Sequence, residues 1–253
     1  MDKKSEMGEL LEKSLVTIEK LHAELKEQHS LRNEPIAIVG MACHFPGESD
    51  NLEQYWKIIH EGRNTVGDLP KARWKVPKNA AYVAKGNFLN RNLEEFDAKF
   101  FKISPAEARE MDPQQRLLLE TSWEALENAG IDPDKLIGSK TAVFIGISSN
   151  NEYSRLPQDK EKINQYAGTG VSSSIASGRI SYIFGFNGPA ISIDTACSSS
   201  LVSVYSAMQS LRNKDCDMAL VGGVSLMISQ DVMQTLGLMN APSKDGSCHP
   251  FDK

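Results

Sequence analysis

A cysteine among small residues, Cys197, stands where the sequence pattern predicts that a strand turns into a helix. Residues 189–194 alternate like a strand, and from Leu201 the apolar residues recur with a helical period. Backbone N–H groups at a helix start stabilise a thiolate and can hold a developing oxyanion. The pattern therefore predicts a nucleophilic cysteine. It also fits the commoner role of such a cysteine, a small hydrophobe in the helix start.

Other residue types that could carry chemistry give weaker signals. The neighbouring serines compete with Cys197, but no GxSxG sequence marks one as a nucleophile. We expect Cys43, Cys216 and Cys248 to be incidental. None of the five histidines has a spacing typical of a general base, and no CxxC or HExxH sequence indicates zinc. Residues 167–174 lack the third glycine of GxGxxG and the lysine of a P-loop, so we expect a tight turn that lines a pocket.

The elements around Cys197 predict an α/β layered domain, because apolar strands alternate with amphipathic helices. Residues 63–92 have no period and are predicted to be a long loop. The predicted strands are residues 35–40, 141–147, 189–194 and 217–226. The predicted helices are residues 51–62, 112–130, 172–184, 201–212 and 230–236.

The first 33 residues differ from the rest, with no proline and no aromatic residue. Leu11, Leu15, Ile18 and Leu25 follow a 4-3-7 spacing, with His22 in the gap, which is typical of a coiled-coil stripe with one polar interruption. The segment is predicted either to pair with itself or another chain, or to be a solvated helical leader. We therefore divide the chain into a helical, coiled-coil-like segment, 1–33, and a globular part, 34–253.

Composition and charge narrow the function classes. Hydrophobic residues make up 40% and charged residues 24% of the 253 residues, as in globular proteins. The net charge of −5 argues against binding to nucleic acid or to an anionic membrane surface. No apolar run approaches the ~20 residues needed to span a bilayer. The polar, acidic N-terminus resembles no secretory signal, so we expect a cytoplasmic protein with reduced thiols.

Ordered motifs from residue 34 onward resemble the β-ketoacyl synthase (ketosynthase) domain of modular type I polyketide synthases. Residues 34–47, EPIAIVGMACHFPG, resemble its opening, and residues 100–130 resemble its next signature. Residues 188–201, GPAISIDTACSSSL, resemble its nucleophile block, and residues 222–227, GGVSLM, follow at the family's place.

This resemblance implies a thiolase-like fold, here its N-terminal half, preceded by an N-terminal helix. It implies that the Cys197 thiolate takes an acyl chain from the phosphopantetheine arm of an acyl carrier protein. A decarboxylating malonyl-type extender would then condense with that acyl group. The resemblance also implies a homodimer with no cofactor of its own. Residues 1–33 resemble a docking segment that binds an upstream polyketide synthase subunit.

The sequence also departs from the family's pattern. In the family, strands that complete the first half follow the position of Lys253, and then a second half that supplies two catalytic histidines. We therefore expect this chain alone to fail at condensation, and a split-synthase fragment or a silent docking module is the alternative function. His44 stands where an arginine is usual, and Tyr205 where a histidine is common.

Overall fold

Helices and short strands alternate along the chain in a computed structural model, which describes residues 3–32, 34–148, 153 and 164–249. The helices are α1 (Lys3–Arg32), α2 (Leu52–Glu61), α3 (Pro105–Glu110), α4 (Pro113–Asn128), α5 (Ala167–Val171), α6 (Ser173–Phe184), α7 (Ser199–Arg212) and α8 (Asp231–Leu238). The strands are β1 (Gly67–Asp68), β2 (Lys85–Gly86), β3 (Thr141–Ile147), β4 (Ala190–Ile193) and β5 (Met218–Val224). Short 3-10 helices cover Pro133–Leu136 and Ala196–Ser198.

The central sheet is parallel, with strand order β4-β3-β5. All seven residues of β3 are buried, because the apolar run TAVFIGI lies in the middle of the sheet and is covered on both faces. The strands predicted over residues 141–147, 189–194 and 217–226 are therefore confirmed, within a residue or two at their ends. The α/β class is confirmed with them.

The two faces of β3 pack against different helices. Val143, Ile145 and Ile147 point to one face and join a buried cluster with residues of α4 and α6. Ala142 and Phe144 point to the other face, where Ala207 of α7 packs. Because side chains alternate along a strand, one short sequence supplies both layers. The sheet therefore lies between two helical layers, with α4 and α6 on one face of β3 and α7 on the other.

Buried polar side chains connect α4 with the segment that enters α6. The Gln115 amide nitrogen donates to the carbonyl oxygens of Gly170 (3.0 Å) and Ser172 (3.1 Å). Its amide oxygen accepts from Arg179 Nε at 2.8 Å. Arg179 also forms an ion pair with Glu107. Buried polar groups are costly unless they are paired, so this network fixes the approach of α5 and α6 to α4. Instead of the predicted tight turn, residues 167–174 contain α5 and the start of α6, with the extended residue Ser172 between them.

One predicted strand is absent from the structure. Residues 34–44 form neither helix nor strand, and Ile38 and Val39 are 80% and 62% exposed. The segment is held instead by single contacts, such as the Met41 backbone N–H donating to Asn128 Oδ1 at 3.0 Å. The prediction for residues 35–40 was wrong because β-branched, apolar residues form a strand only where a neighbouring strand pairs with them.

The first helix, α1, spans most of the segment 1–33 that the sequence set apart. Its apolar side chains lie in water: Leu11, Leu15, Ile18 and Leu25 are each more than half exposed. The coiled-coil role and the division at residues 33 and 34 stay predictions. No helix among the described residues is long and apolar enough to cross a membrane.

Two glycines allow α7 to begin directly on the sheet. Gly146 of β3 lies opposite Gly223 of β5 in the register of the two strands. A Cβ atom on Gly146 would lie 2.7 Å from the Ser199 carbonyl carbon and 2.7 Å from the Ser200 nitrogen. A Cβ atom on Gly223 would lie 2.1 Å from the Ser200 hydroxyl oxygen. Gly146 therefore needs to be glycine, because the backbone at the helix start occupies the space of a side chain, whereas Gly223 leaves room for the Ser200 side chain.

Gly146→Ala should destabilise the protein by about 1–3 kcal/mol, because the atoms in the way belong to the backbone and cannot rotate aside. The measurement is the free energy of unfolding in urea. The control is Gly178→Ala in α6, where a Cβ atom meets no other atom within 4 Å. That change should stabilise by about 0.5–1 kcal/mol through helix propensity. Equal unfolding midpoints for Gly146→Ala and the original chain would contradict the contact.

Candidate active site

Cys197 lies in the middle of the 3-10 turn Ala196–Ser198, between the end of β4 and the start of α7. Its side chain is exposed. The strand-to-helix placement predicted from the sequence is therefore what the structure has, and the thiol is not sealed in the core as a small hydrophobe would be. Whether Cys197 acts as a nucleophile stays a prediction.

The turn that carries Cys197 is strained. Ala196 has a φ of 53°, in the left-handed region. A residue with a Cβ atom costs about 1–2 kcal/mol there, so surrounding contacts must hold it. The Ala196 N–H donates to Asp194 Oδ1 at 3.1 Å, and the Thr195 N–H donates to Ser199 Oγ at 2.9 Å. These bonds satisfy backbone donors that have no partner in the helix itself.

The serines beside Cys197 bond to the turn. The Ser198 hydroxyl donates to the carbonyl and hydroxyl oxygens of Thr195, both at 2.8 Å. The Ser199 hydroxyl donates to the Ala196 carbonyl oxygen at 2.7 Å. These contacts give both hydroxyls a structural role, and they leave Cys197 as the better candidate nucleophile of the group.

The position of the turn in the sheet favours substrate binding. The chain runs from β3 to β4 on one side and then crosses to β5 on the other side of β3. Cys197 follows the carboxyl end of β4. In open α/β sheets, ligands bind beyond the carboxyl ends of the strands, at the point where the strand order reverses. Cys197 therefore lies at the edge of the sheet where this rule places a ligand.

The other three cysteines lie in different surroundings, and all four are free thiols. Burial raises the pKa of the Cys43 thiol, and the carboxylates of Glu124 and Asp50 raise it further. Cys216 is 2% exposed, and its Sγ donates to the Ser210 hydroxyl at 3.4 Å. Cys248 is exposed and lies beyond the end of α8, the last helix in the part of the chain that the structure describes. Cys197 alone combines an exposed thiol with the amino end of a helix.

Two of the histidines bond to carboxylates rather than to Cys197. His44 lies between Glu124 Oε2 (2.8 Å from Nε2) and Asp50 Oδ1 (3.3 Å from Nδ1). His249 bonds to Asp245 at 2.9 Å. In residues 34–148 and 164–249, no hydrogen bond joins a histidine to Cys197. The part of the chain that the structure describes also contains no group of three or more metal-ligating side chains.

Sequence reasoning missed the residues that support the turn. It did not identify the strained Ala196, the double role of the Ser199 hydroxyl, or the glycine pair beneath the helix. One signal was available: a glycine inside an apolar strand often marks the close approach of another backbone, and Gly146 interrupts such a run.

Comparison with protein families gives one assignment for most of the chain. Residues 33–253 match the family described as "Beta-ketoacyl synthase, N-terminal domain". The match includes the turn at Cys197 and all three strands of the central sheet.

Curated relatives agree with this assignment. The chain is 45% identical to erythronolide synthase EryA2 of Saccharopolyspora erythraea over 229 residues, 87% of this chain and 6% of that protein. It is 40% identical to polyketide synthase GfsB of Streptomyces halstedii over 261 aligned positions, which cover 99% of this chain and 5% of that protein. The chain thus spans only a small part of the curated relatives that it matches.

Solved structures match in fold as well as in sequence. The ketosynthase from module 6 of the bacillaene synthase of Bacillus subtilis 168 has a TM-score of 0.76 and 41% identity, over 85% of this chain and 36% of that one. An oxazolomycin ketosynthase domain of Streptomyces albus JA3453 has a TM-score of 0.73 and 34% identity, over 81% of this chain and 37% of that one. The thiolase-like fold implied by the resemblance is confirmed for this N-terminal portion. The chain therefore belongs to the β-ketoacyl synthase family, as an N-terminal ketosynthase domain of the type I polyketide synthase kind.

Proposed function

We propose that Cys197 is the acyl acceptor of a polyketide synthase ketosynthase. The thiolate attacks the thioester carbonyl of an acyl chain on the phosphopantetheine arm of an acyl carrier protein. A new sulfur–carbon bond forms at Cys197, the old one breaks, and the pantetheine sulfur leaves as a thiolate that takes a proton from water. The observation that carries this proposal is the exposed Cys197 thiol at the strand-to-helix turn of the family's nucleophile block.

The amino end of α7 supplies the electrostatics of this step. Its backbone N–H groups carry a partial positive charge close to Cys197. The same charge lowers the energy of the oxyanion that forms on the thioester carbonyl. No cofactor of the chain's own takes part, because the phosphopantetheine arrives on the carrier protein.

The second step is condensation. A malonyl-type extender on a carrier protein loses CO₂, and the resulting carbanion attacks the acyl group on Cys197. A carbon–carbon bond forms, the thiolate of Cys197 leaves, and the β-ketoacyl chain stays on the carrier. The described residues bring no histidine into hydrogen-bond contact with Cys197, and the chain spans 36% of a solved ketosynthase. We therefore assign proton transfer and enolate stabilisation in this step to groups outside the described residues.

The leading segment is proposed to recruit a partner chain. Relatives that align with 99% of this chain, such as GfsB, include this region in their match. The exposed stripe Leu11, Leu15, Ile18 and Leu25 of α1 would bury its leucines against a second helix. A homodimer, which the family resemblance implies, would bring two such helices together to bind the end of an upstream synthase subunit. A catalytically silent docking fragment is the alternative, and the exposed stripe is the observation that favours it.

Cys197→Ala should abolish acylation by an N-acetylcysteamine thioester, a short mimic of the phosphopantetheine arm. The measurement is intact mass followed by peptide mapping. Cys248→Ala is the matched control, since it removes an exposed thiol that lies at no helix start, and it should leave acylation of Cys197 unchanged. Acyl occupancy that persists in Cys197→Ala would refute the proposed acceptor. An unacylated original chain that still pairs through α1 would support the silent docking fragment.

The Cys43 thiol should resist alkylation by iodoacetamide at neutral pH. Its raised pKa leaves the thiol protonated, and the thiolate is the reactive form. Peptide mapping should find Cys197 and Cys248 modified in the folded chain, and Cys43 modified only after unfolding in urea. Rapid modification of Cys43 in the folded chain would contradict the burial seen here.

Leu15→Asp should weaken self-association of the chain by more than about tenfold, because a buried leucine contributes roughly 1.5–3 kcal/mol per helix. Sedimentation equilibrium of the full chain measures this. Val16→Asp is the control: it adds the same charge next door, at a residue that is 62% exposed but lies off the stripe. Identical association constants for the two variants would argue against pairing through α1.

A further inference from the structure

Ser199 is buried, unlike the polar residues around it in the turn. Ser199 is the first residue of α7 and is 6% exposed, whereas Asp194, Thr195 and Ser198 around it are exposed. Its oxygen accepts from the Thr195 N–H at 2.9 Å and donates to the Ala196 carbonyl oxygen at 2.7 Å. One buried hydroxyl thus bonds to the backbone on both sides of the Thr195–Ala196 peptide bond.

These two bonds act on the strained residue. Ala196 stays at a φ of 53° only while its neighbours hold it there, since the right-handed region is about 1–2 kcal/mol lower for alanine. The Thr195 N–H belongs to the Asp194–Thr195 peptide, and the Ala196 carbonyl belongs to the Ala196–Cys197 peptide, so the two bonds hold the peptides on both sides of the Thr195–Ala196 unit. Rotation of either peptide would break one of the Ser199 bonds. The peptide after Ala196 is also the one that leads into Cys197.

Burial makes the Ser199 bonds stronger restraints than the other bonds of the turn. Asp194 and Ser198 bond to the turn from exposed positions, where water competes for the same groups. Strand β3 covers Ser199 from the side of the sheet, since a Cβ atom on Gly146 would lie only 2.7 Å from the Ser199 carbonyl carbon. Loss of the hydroxyl would leave the Thr195 N–H without its partner and the Ala196 carbonyl without its side-chain donor.

We propose that Ser199 is a positioning residue: its hydroxyl holds the left-handed turn at Ala196 and thereby fixes the Cys197 thiol at the amino end of α7. This inference rests on the proposed function, in which Cys197 accepts the acyl group. Ser199 itself touches no reacting atom. Its effect on the reaction passes through the backbone of residues 195–197.

The test compares three variants of the full chain in acylation by the N-acetylcysteamine thioester. Ser199→Ala should slow acylation of Cys197 by about tenfold to a hundredfold, the range that a misplaced reacting group produces. Ser199→Thr keeps a hydroxyl at the same atom and should restore the rate to within about threefold of the original chain. Ser203→Ala is the control. Ser203 is fully buried in the same helix and donates to the Ser199 carbonyl oxygen at 2.9 Å. Its loss should lower stability without slowing acylation.

The outcomes separate this inference from the proposed function. An original chain that is never acylated at Cys197 overturns both. Acylation of Ser199→Ala at the original rate overturns the positioning role alone. A slow Ser199→Ala that Ser199→Thr does not restore, with Ser203→Ala equally slow, shows a general loss of structure and also overturns it. Thermal unfolding followed by circular dichroism fixes a temperature at which all variants are folded.

Discussion

The contact on which this site depends is between the backbone of a helix and the backbone of a sheet. The start of α7 lies against β3 where Gly146 has no side chain, and the opposite residue of β5, Gly223, leaves room for the Ser200 side chain. The close approach brings Cys197 to the carboxyl edge of the sheet while the rest of α7 packs on Ala142 and Phe144 through Ala207. A side chain at Gly146 would lift the helix start, and the connection from β4 would have to change.

A short connection under such a constraint has to turn sharply. Only two residues, Asp194 and Thr195, separate β4 from the 3-10 turn, and Ala196 enters the left-handed region to complete the reversal. The small residues around Cys197 are useful here for two reasons: they fit beneath a helix that lies close to the sheet, and their hydroxyls satisfy the backbone groups of the turn. The serine-rich sequence thus has a structural explanation, and Cys197 is left as the exposed candidate nucleophile of the turn.

The sequence predicted the parts of this arrangement that depend on local patterns. Residues 141–147 form a long apolar run that is buried on both faces, so their strand could be predicted. Cys197 could be placed at a strand-to-helix boundary because the apolar period changes around it. The failures involve partners that are distant in the chain. Residues 35–40 have strand-forming side chains, but none of the described strands pairs with them. The opposition of Gly146 and Gly223 depends on the register of two strands more than 70 residues apart. The bonds of Ser199 depend on the φ of Ala196, which no periodicity reports.

The two proposed steps, recruitment of a carrier protein and acyl transfer to Cys197, place different demands on the chain. Acyl transfer at Cys197 needs a rigid turn, because a thiolate that moves by an ångström loses its alignment with the thioester carbonyl. Recruitment of the carrier through α1 needs exposure and freedom to find a partner, since tethering increases the local concentration of donor without adding a contact at the sulfur. In this proposal, separate elements serve the two demands: buried hydrogen bonds and glycines beneath Cys197 serve the first, and the exposed leucines along α1 serve the second. In this proposal, a change in the exposed stripe of α1 alters how often a carrier protein arrives. A change beneath the turn alters how fast the acyl group is transferred to Cys197 after the carrier has arrived.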